Sequence, residues 1–182
     1  MNKEDALIRD VLAGNAEAFG ILVARYQRPI YNLMRRTTGS PETAADLAQD
    51  TFLRAYANLE RFRPGARFFP WLYAIGLNRA KDWLRAAGRH RETELEDPSN
   101  HVWSSEKDPH ERLEAHLDLE RVRRAVDALP LGYREAVMLR YHEDLPLSQV
   151  AEALGIGLSA AKMRVHRALD MMRRCLEEES DE

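Results

Sequence analysis

The chain has 182 residues, 45% hydrophobic and 31% charged, with a formal net charge of −3; that suffices for one domain or two small ones built largely from helix formers. No apolar run reaches the roughly 20 residues a membrane span needs, and "MNKEDALIRD" is too acidic and too broken for a secretory signal. A single cysteine, Cys175, excludes an internal disulfide framework and fits a reducing compartment, so a cytoplasmic protein is expected.

Leu7, Ile8, Val11 and Leu12 follow helical spacing and end at Gly14. A second helix follows Asn15, with Phe19, Leu22, Val23, Tyr26, Ile30, Leu33 and Met34 as its apolar stripe. Pro29 falls inside that stripe and is expected to kink or split it. A third helix, "GSPETAADLAQDTFLRAYANLERF", opens with Ser40 as cap and Pro41 at its first position. The loop "RPGAR" leads into "FFPWLYAIGLNRAKDWLRAAGRHR", whose helical pattern is expected to break near Gly76 and Asn78.

Arg91 to Pro109 lacks a sustained apolar period and carries Pro98, Ser99, Asn100, Ser104, Ser105 and Pro109, the composition of a linker. Helical periodicity returns with Leu113, Leu117, Val122, Val126 and Leu129, and Pro130 punctuates it before "LGYREAVMLRYH". "LPLSQVAEALGIGLSAAKMRVHRALDMMRR" then gives a short helix, a turn at Gly155 and a longer basic helix. With neither strand-like alternation nor an internal repeat, an all-α architecture is expected. Two small helical domains, 1–92 and 111–177, are joined by a flexible acidic linker over 93–110 and followed by an acidic tail over 178–182. The second is a helix-turn-helix domain.

Charge is distributed unevenly. Arg79, Lys81, Arg85, Arg89 and Arg91 face a single acid, Asp82, in one stretch. Lys162, Arg164, Arg167, Arg173 and Arg174 face only Asp170 in another. Between these basic islands runs an acidic strip, so the near-neutral total hides two nucleic-acid candidates.

In the last helix Leu158, Ala161, Val165, Ala168, Leu169 and Met172 share one face and are expected to pack inward. Ser159, Lys162, Met163, His166 and Arg167 fall opposite, with Arg164 at the flank. A recognition helix meets base edges with its first turns, where Lys and Arg suit guanine; flanking cations, Arg140 among them, reach phosphates. Leu147, Val150, Ala151 and Leu154, then Gly155 and Ile156, supply the skeleton that locks two such helices. A helix-turn-helix alone describes a repressor equally well.

"ALPLGYREAVMLRYHEDLPLSQVAEALGIGLSAAKMRVHRAL" closely resembles the carboxy-terminal domain of bacterial sigma-70-family sigma factors of the extracytoplasmic-function (ECF) group. "AADLAQDTFLRAYANLERF" and "FPWLYAIGLNRAKDWLRAAGR" resemble the signature segments of the amino-terminal sigma domain. Gly157, Ser159, Ala160, Ala161 and Pro146 depart from residues common in the family and bear on base preference rather than fold. The resemblance implies a dissociable sigma subunit, probed against a rival reading as a free-standing helix-turn-helix regulator. Asp46, Gln49, Asp50 and Arg54 would dock on core RNA polymerase. Trp71, Tyr73, Asn78, Arg79, Lys81 and Arg85 would hold the melted −10 strand of promoter DNA, with stacking on the order of 1–3 kcal/mol per base. Asn78, at the expected helix break, would meet a base flipped from that strand. Ser159, Lys162, Met163, Arg164, His166, Arg167 and Arg140 would read the −35 duplex.

A linker of about 20 residues extends to at most ~70 Å, ample to separate two DNA-reading domains. No catalysis, cofactor, metal or small-molecule substrate is expected; His101, His110 and His116 lack the spacing of a metal site. The short segment ahead of the first helix leaves no room for an inhibitory domain, so restraint is expected from outside, by an anti-sigma factor.

Overall fold

A computed structural model describes residues 3–88 and 119–178. The linker, the three histidines at 101, 110 and 116, and the apolar positions Leu113 and Leu117 lie outside them, as does the tail beyond 178. The described residues are helical, without strands.

Helix α1 spans Lys3–Leu12 and buries Ile8 and Val11. Glu4 ties it to the next helix, accepting hydrogen bonds from Tyr26 and Arg25. Gly14 takes a positive φ of 101°, and Asn15 then caps α2, Ala16–Thr38, by accepting from the Glu17 amide at 3.1 Å. Helix α2 runs unbroken through Pro29, against the expected split. An interior proline costs about 3 kcal/mol. Leu22, Ile30, Leu33 and Met34 are all fully buried on either side of it. At about 1.5–3 kcal/mol each, their burial outweighs the proline.

Ser40 caps α3, Pro41–Ala57, by accepting from the Thr43 amide at 3.3 Å, with Pro41 at its start. A short 3-10 turn, Leu59–Arg61, follows. Helix α4, Phe68–Ala86, is continuous; no break occurs at Gly76 or Asn78. Gly76 serves a different purpose. A Cβ there would lie 3.3 Å from Leu33 Cδ2 and 3.4 Å from Thr51 Cγ2, so glycine allows α4 to seat against α2 and α3. The cost of a helical glycine, about 1 kcal/mol, is small beside the burial of Leu72, Tyr73, Leu77 and Ala80 around it. Phe62, Phe68, Phe69 and Trp71 complete this core with edge-to-face and tilted ring contacts.

In the second half, α5 is Leu119–Ala128 and α6 is Leu131–Val137, the latter running into a π-helical turn over Met138–His142. Helix α7, Leu147–Leu154, ends at Gly155, which is left-handed at φ 66° and donates its amide to the Glu152 carbonyl. Helix α8, Leu158–Glu178, starts three residues later, the Gly157 carbonyl accepting from the Ala161 amide at 2.9 Å. Val150, Ala153 and Leu154 of α7 and Ala161, Val165, Ala168, Leu169 and Met172 of α8 are buried, and the two helices pack against each other. This is a helix-turn-helix. Leu158, the first residue of α8, departs from the expected inward set: it is 56% exposed.

The halves also meet. Helix α4 packs against α7, and Arg36 and Tyr73 reach Glu135 on α6.

Candidate functional site

On α8, Ser159, Lys162 and His166 are exposed, and Met163, Arg164 and Arg167 are half-buried. The side chains singled out in sequence therefore do share the outer side of this helix. His166 Nε2 lies 3.7 Å from Asp170 Oδ2, one turn on. Arg140, on the π-helical turn, donates to the Leu145 carbonyl at 3.4 Å, and its guanidinium lies over the Tyr141 ring. It sits beside the helix-turn-helix rather than on α8, the position of a phosphate contact.

Helix α4 carries a second cationic surface. Asn78 and Arg85 are exposed, while Arg79 and Lys81 are half-buried. Because α4 is continuous, Asn78 projects from a helix, not from a loop at a break. Trp71 is half-buried against Phe62 and Phe68, so only part of it faces solvent. Tyr73 departs from its expected role as a stacking face. It is 1% exposed, its ring edge-to-face with Phe69 and its hydroxyl donated to Glu135. Position 73 falls on the side of α4 that meets α2 and the second half, and burial there leaves no face for a base. Burial depresses the Lys81 pKa, with Arg164 and Arg85 adding to the shift. Lys81 and Arg164, one cation from each basic surface, are thus electrostatic neighbours.

On α3, Asp46 and Gln49 are exposed and Asp50 is half-buried. Asp50 Oδ2 accepts from Arg54 Nε at 2.9 Å and from Arg79 Nε. Burial works to raise the Asp50 pKa, but these two hydrogen bonds and their charges outweigh it and hold the carboxyl below its ordinary value. Arg79 continues to Asp82 at 3.6 Å, and Asp82 accepts from Arg85 at 2.8 Å. A chain of alternating charge thus links the acidic face of α3 to the basic face of α4.

Leu53, a large apolar residue of α3, is 62% exposed. With Phe19, Val23, Phe52 and Tyr56 it lines an apolar groove of about 660 Å³ between α2 and α3, bordered by Gln49. Helical spacing alone placed Leu53 beside Phe52 and could not decide which of the two faced the core. The signal available was its register: Leu53 stands four residues after the exposed Gln49 and shares its face.

Among the described residues no group of His, Cys, Asp or Glu is placed to hold a metal ion, and no helix is long and apolar enough to cross a membrane.

Comparison with known proteins decides between the two readings of the helix-turn-helix. Residues 22–90 match sigma-70 region 2 and residues 119–172 match sigma-70, region 4. The chain is 32% identical over 177 residues to the ECF RNA polymerase sigma-E factor of Haemophilus influenzae, covering 93% of each. It is 33% identical to the RNA polymerase sigma factor CnrH of Cupriavidus metallidurans over the whole of both chains. The protein is an ECF sigma factor of the sigma-70 family. A free-standing regulator would have no reason to carry the region 2 half in addition to the helix-turn-helix, so this sigma factor directs promoter-specific initiation by RNA polymerase. A solved structure of CnrH in complex with the cytosolic domain of CnrY matches it with a TM-score of 0.72 at 28% identity, covering 97% of this chain and 99% of that one. The sigma factor RpoE of Bartonella quintana, solved with the anti-sigma factor NepR, shares the fold with a TM-score of 0.65 over 89% of this sigma factor.

Proposed function

We propose that this sigma factor grips one promoter at two points, through residue sets on α4 and α8, while α3 docks on core polymerase. Residues 1–92 would form the polymerase-binding and −10-melting domain, 93–110 the tether, and 111–177 the −35-reading domain. The observation that carries the reading is the pairing of two exposed cationic helix faces, on α4 and α8, with a separate acidic and apolar face on α3 and α2. Phosphates draw the first two, and bases are read where Lys162, His166 and Arg167 meet the major groove. Asn78, with donor and acceptor atoms, suits an extruded base edge, and Arg79, Lys81 and Arg85 suit the backbone around it. Tyr73 would join them only in an arrangement of the halves that frees its hydroxyl and ring edge.

Docking combines Asp46, Gln49 and Asp50 with the groove around Leu53 and Tyr56. A partner that presents cations around an apolar ridge fits it. Arg54 and Arg79 both hold Asp50 in place, so docking at α3 would be felt at α4. Binding and orientation of DNA account for the work without a catalytic group of the chain's own, and the protein would act in the cytoplasm. The relatives solved with CnrY and with NepR support restraint of this chain by an anti-sigma factor.

The test is reconstitution. Core polymerase holding this chain is expected to protect two promoter segments and to open the downstream one. Asp46→Lys with Asp50→Lys is expected to abolish polymerase binding while residues of the helix-turn-helix keep their helical signal. Undiminished binding by that double variant would remove α3 from the docking surface.

A further inference from the structure

The turn that leads into α7 carries an acid where local stability favours none. Helix α6 runs into the π-helical turn Met138–His142, a rare form that is frequent at functional sites. Two backbone bonds close it: the Glu143 amide donates to the Met138 carbonyl and the Leu145 amide to the Leu139 carbonyl, each at 3.0 Å. Between those donors stands Asp144, at φ 50°, the one non-glycine residue of positive φ among the described residues. A left-handed residue just past a helix end is usually glycine, and the carbonyl end of a helix disfavours a negative charge.

What this carboxylate meets is Arg140. Asp144 Oδ1 lies 3.8 Å from Arg140 Nη1, and the Asp144 side chain is 98% exposed. The same Nη1 donates to the Leu145 carbonyl at 3.4 Å, and the guanidinium lies 5.7 Å from the centroid of the Tyr141 ring. The turn thus holds Arg140 by three contacts, and one of them is a negative charge open to solvent. We propose that Asp144 is a counter-ion that takes the place of a DNA phosphate beside Arg140, and that the exchange it forces weakens duplex binding by the free chain. The proposal rests on the phosphate contact assigned to Arg140 above.

The first helix of a helix-turn-helix crosses the DNA backbone, and Asp144 stands just ahead of that helix, α7. A phosphate that approaches Arg140 meets a charge of its own sign beside it and must displace that charge. An exposed pair is screened by water and salt, so the cost is modest. Phosphate contacts supply essentially all of non-specific binding, so the loss falls on random DNA, where the free chain has little else. In polymerase the position differs. The helix-turn-helix is then linked to a promoter already held through α4, and the high effective concentration keeps its contact near saturation despite the same loss. Asp144 thus biases the helix-turn-helix toward DNA presented by polymerase, by repulsion rather than by a further attraction.

The test titrates the full chain alone with a duplex of random sequence at several salt concentrations, with circular dichroism as the check on folding. Asp144→Asn removes the charge and keeps a residue that tolerates a left-handed backbone. It is expected to tighten binding about two- to fivefold at low salt, and the gain should fade as salt rises. Asp144→Gly should tighten binding equally and also raise the melting temperature. Arg140→Ala should weaken binding, and in that background Asp144→Asn should gain less than about half as much, because the two residues share one contact. No gain from Asp144→Asn while Arg140→Ala weakens binding would overturn the counter-ion role and leave the phosphate contact in place. Arg140→Ala without effect would overturn both. A gain undiminished in the Arg140→Ala background would assign the effect to net charge, and a gain with glycine alone would assign it to the backbone; either overturns the pairing. In reconstituted polymerase, protection of the −35 segment should be no more complete with Asp144→Asn than with wild type. A clear increase there would overturn the bias toward polymerase.

Discussion

Lys162 and Arg140 are both cations near the helix-turn-helix, yet they stand in different places and should fail differently. Lys162 is exposed in the second turn of α8, where a major-groove helix meets base edges. Lys162→Ala should cost about 1–3 kcal/mol at particular −35 positions and little at others. Arg140 is set back beside the Leu145 carbonyl. Arg140→Ala should weaken binding evenly across promoter variants and lower the salt slope by about one. A promoter-mutant series read at several salt concentrations separates the two. The same scale decides docking: Leu53→Glu changes an exposed residue, so polymerase affinity should fall while the melting temperature holds. The exposure of Lys162 was legible in sequence because a basic face on an amphipathic helix announces itself. Leu53 and Tyr73 were not, since spacing gives a face but not what that face meets. Leu53 faces solvent beside a groove, and Tyr73 faces the other half of the chain. The role of Glu135 was hidden for the same reason, although a carboxylate at a core register is itself a sign of a buried partner.

Elements follow local chemistry wherever a cap or a turn supplies it. Asn15, Ser40 and Gly155 mark boundaries in sequence and do so in space. Ser40→Ala should cost about 1 kcal/mol by freeing the Thr43 amide, and Ser40→Asp should keep the cap, as thermal melts would show. Where tertiary contact competes with local signals, packing prevails. Pro29 and Gly76 look like breaks, and each lies inside an unbroken helix because large side chains on both flanks are buried. Gly76→Val tests that reading. Its side chain would meet Leu33, Thr51 and Met34, and a loss of about 1–3 kcal/mol is expected from overpacking. A neutral or stabilising result would mean that Gly76 is tolerated in α4 and not required by it.

At the scale of the molecule, two helical halves, a helix-turn-helix and a region 2 surface were legible because long amphipathic periods and family motifs cover both halves. Their contact was not legible: the hydrogen bonds from Arg36 and Tyr73 to Glu135 cross the whole linker in sequence, and no periodicity reports a pairing between separate elements. The central claim is that one chain reads a promoter at two places and does so as a subunit of polymerase. The most direct measurement is runoff transcription with core polymerase, with and without this chain, on a library of fragments from its own genome. Initiation should occur at a defined set of sites only when the chain is present, and should vanish with Asp46→Lys and Asp50→Lys combined. No initiation at any site, together with tight sequence-specific binding of duplex DNA by the chain alone, would contradict the account.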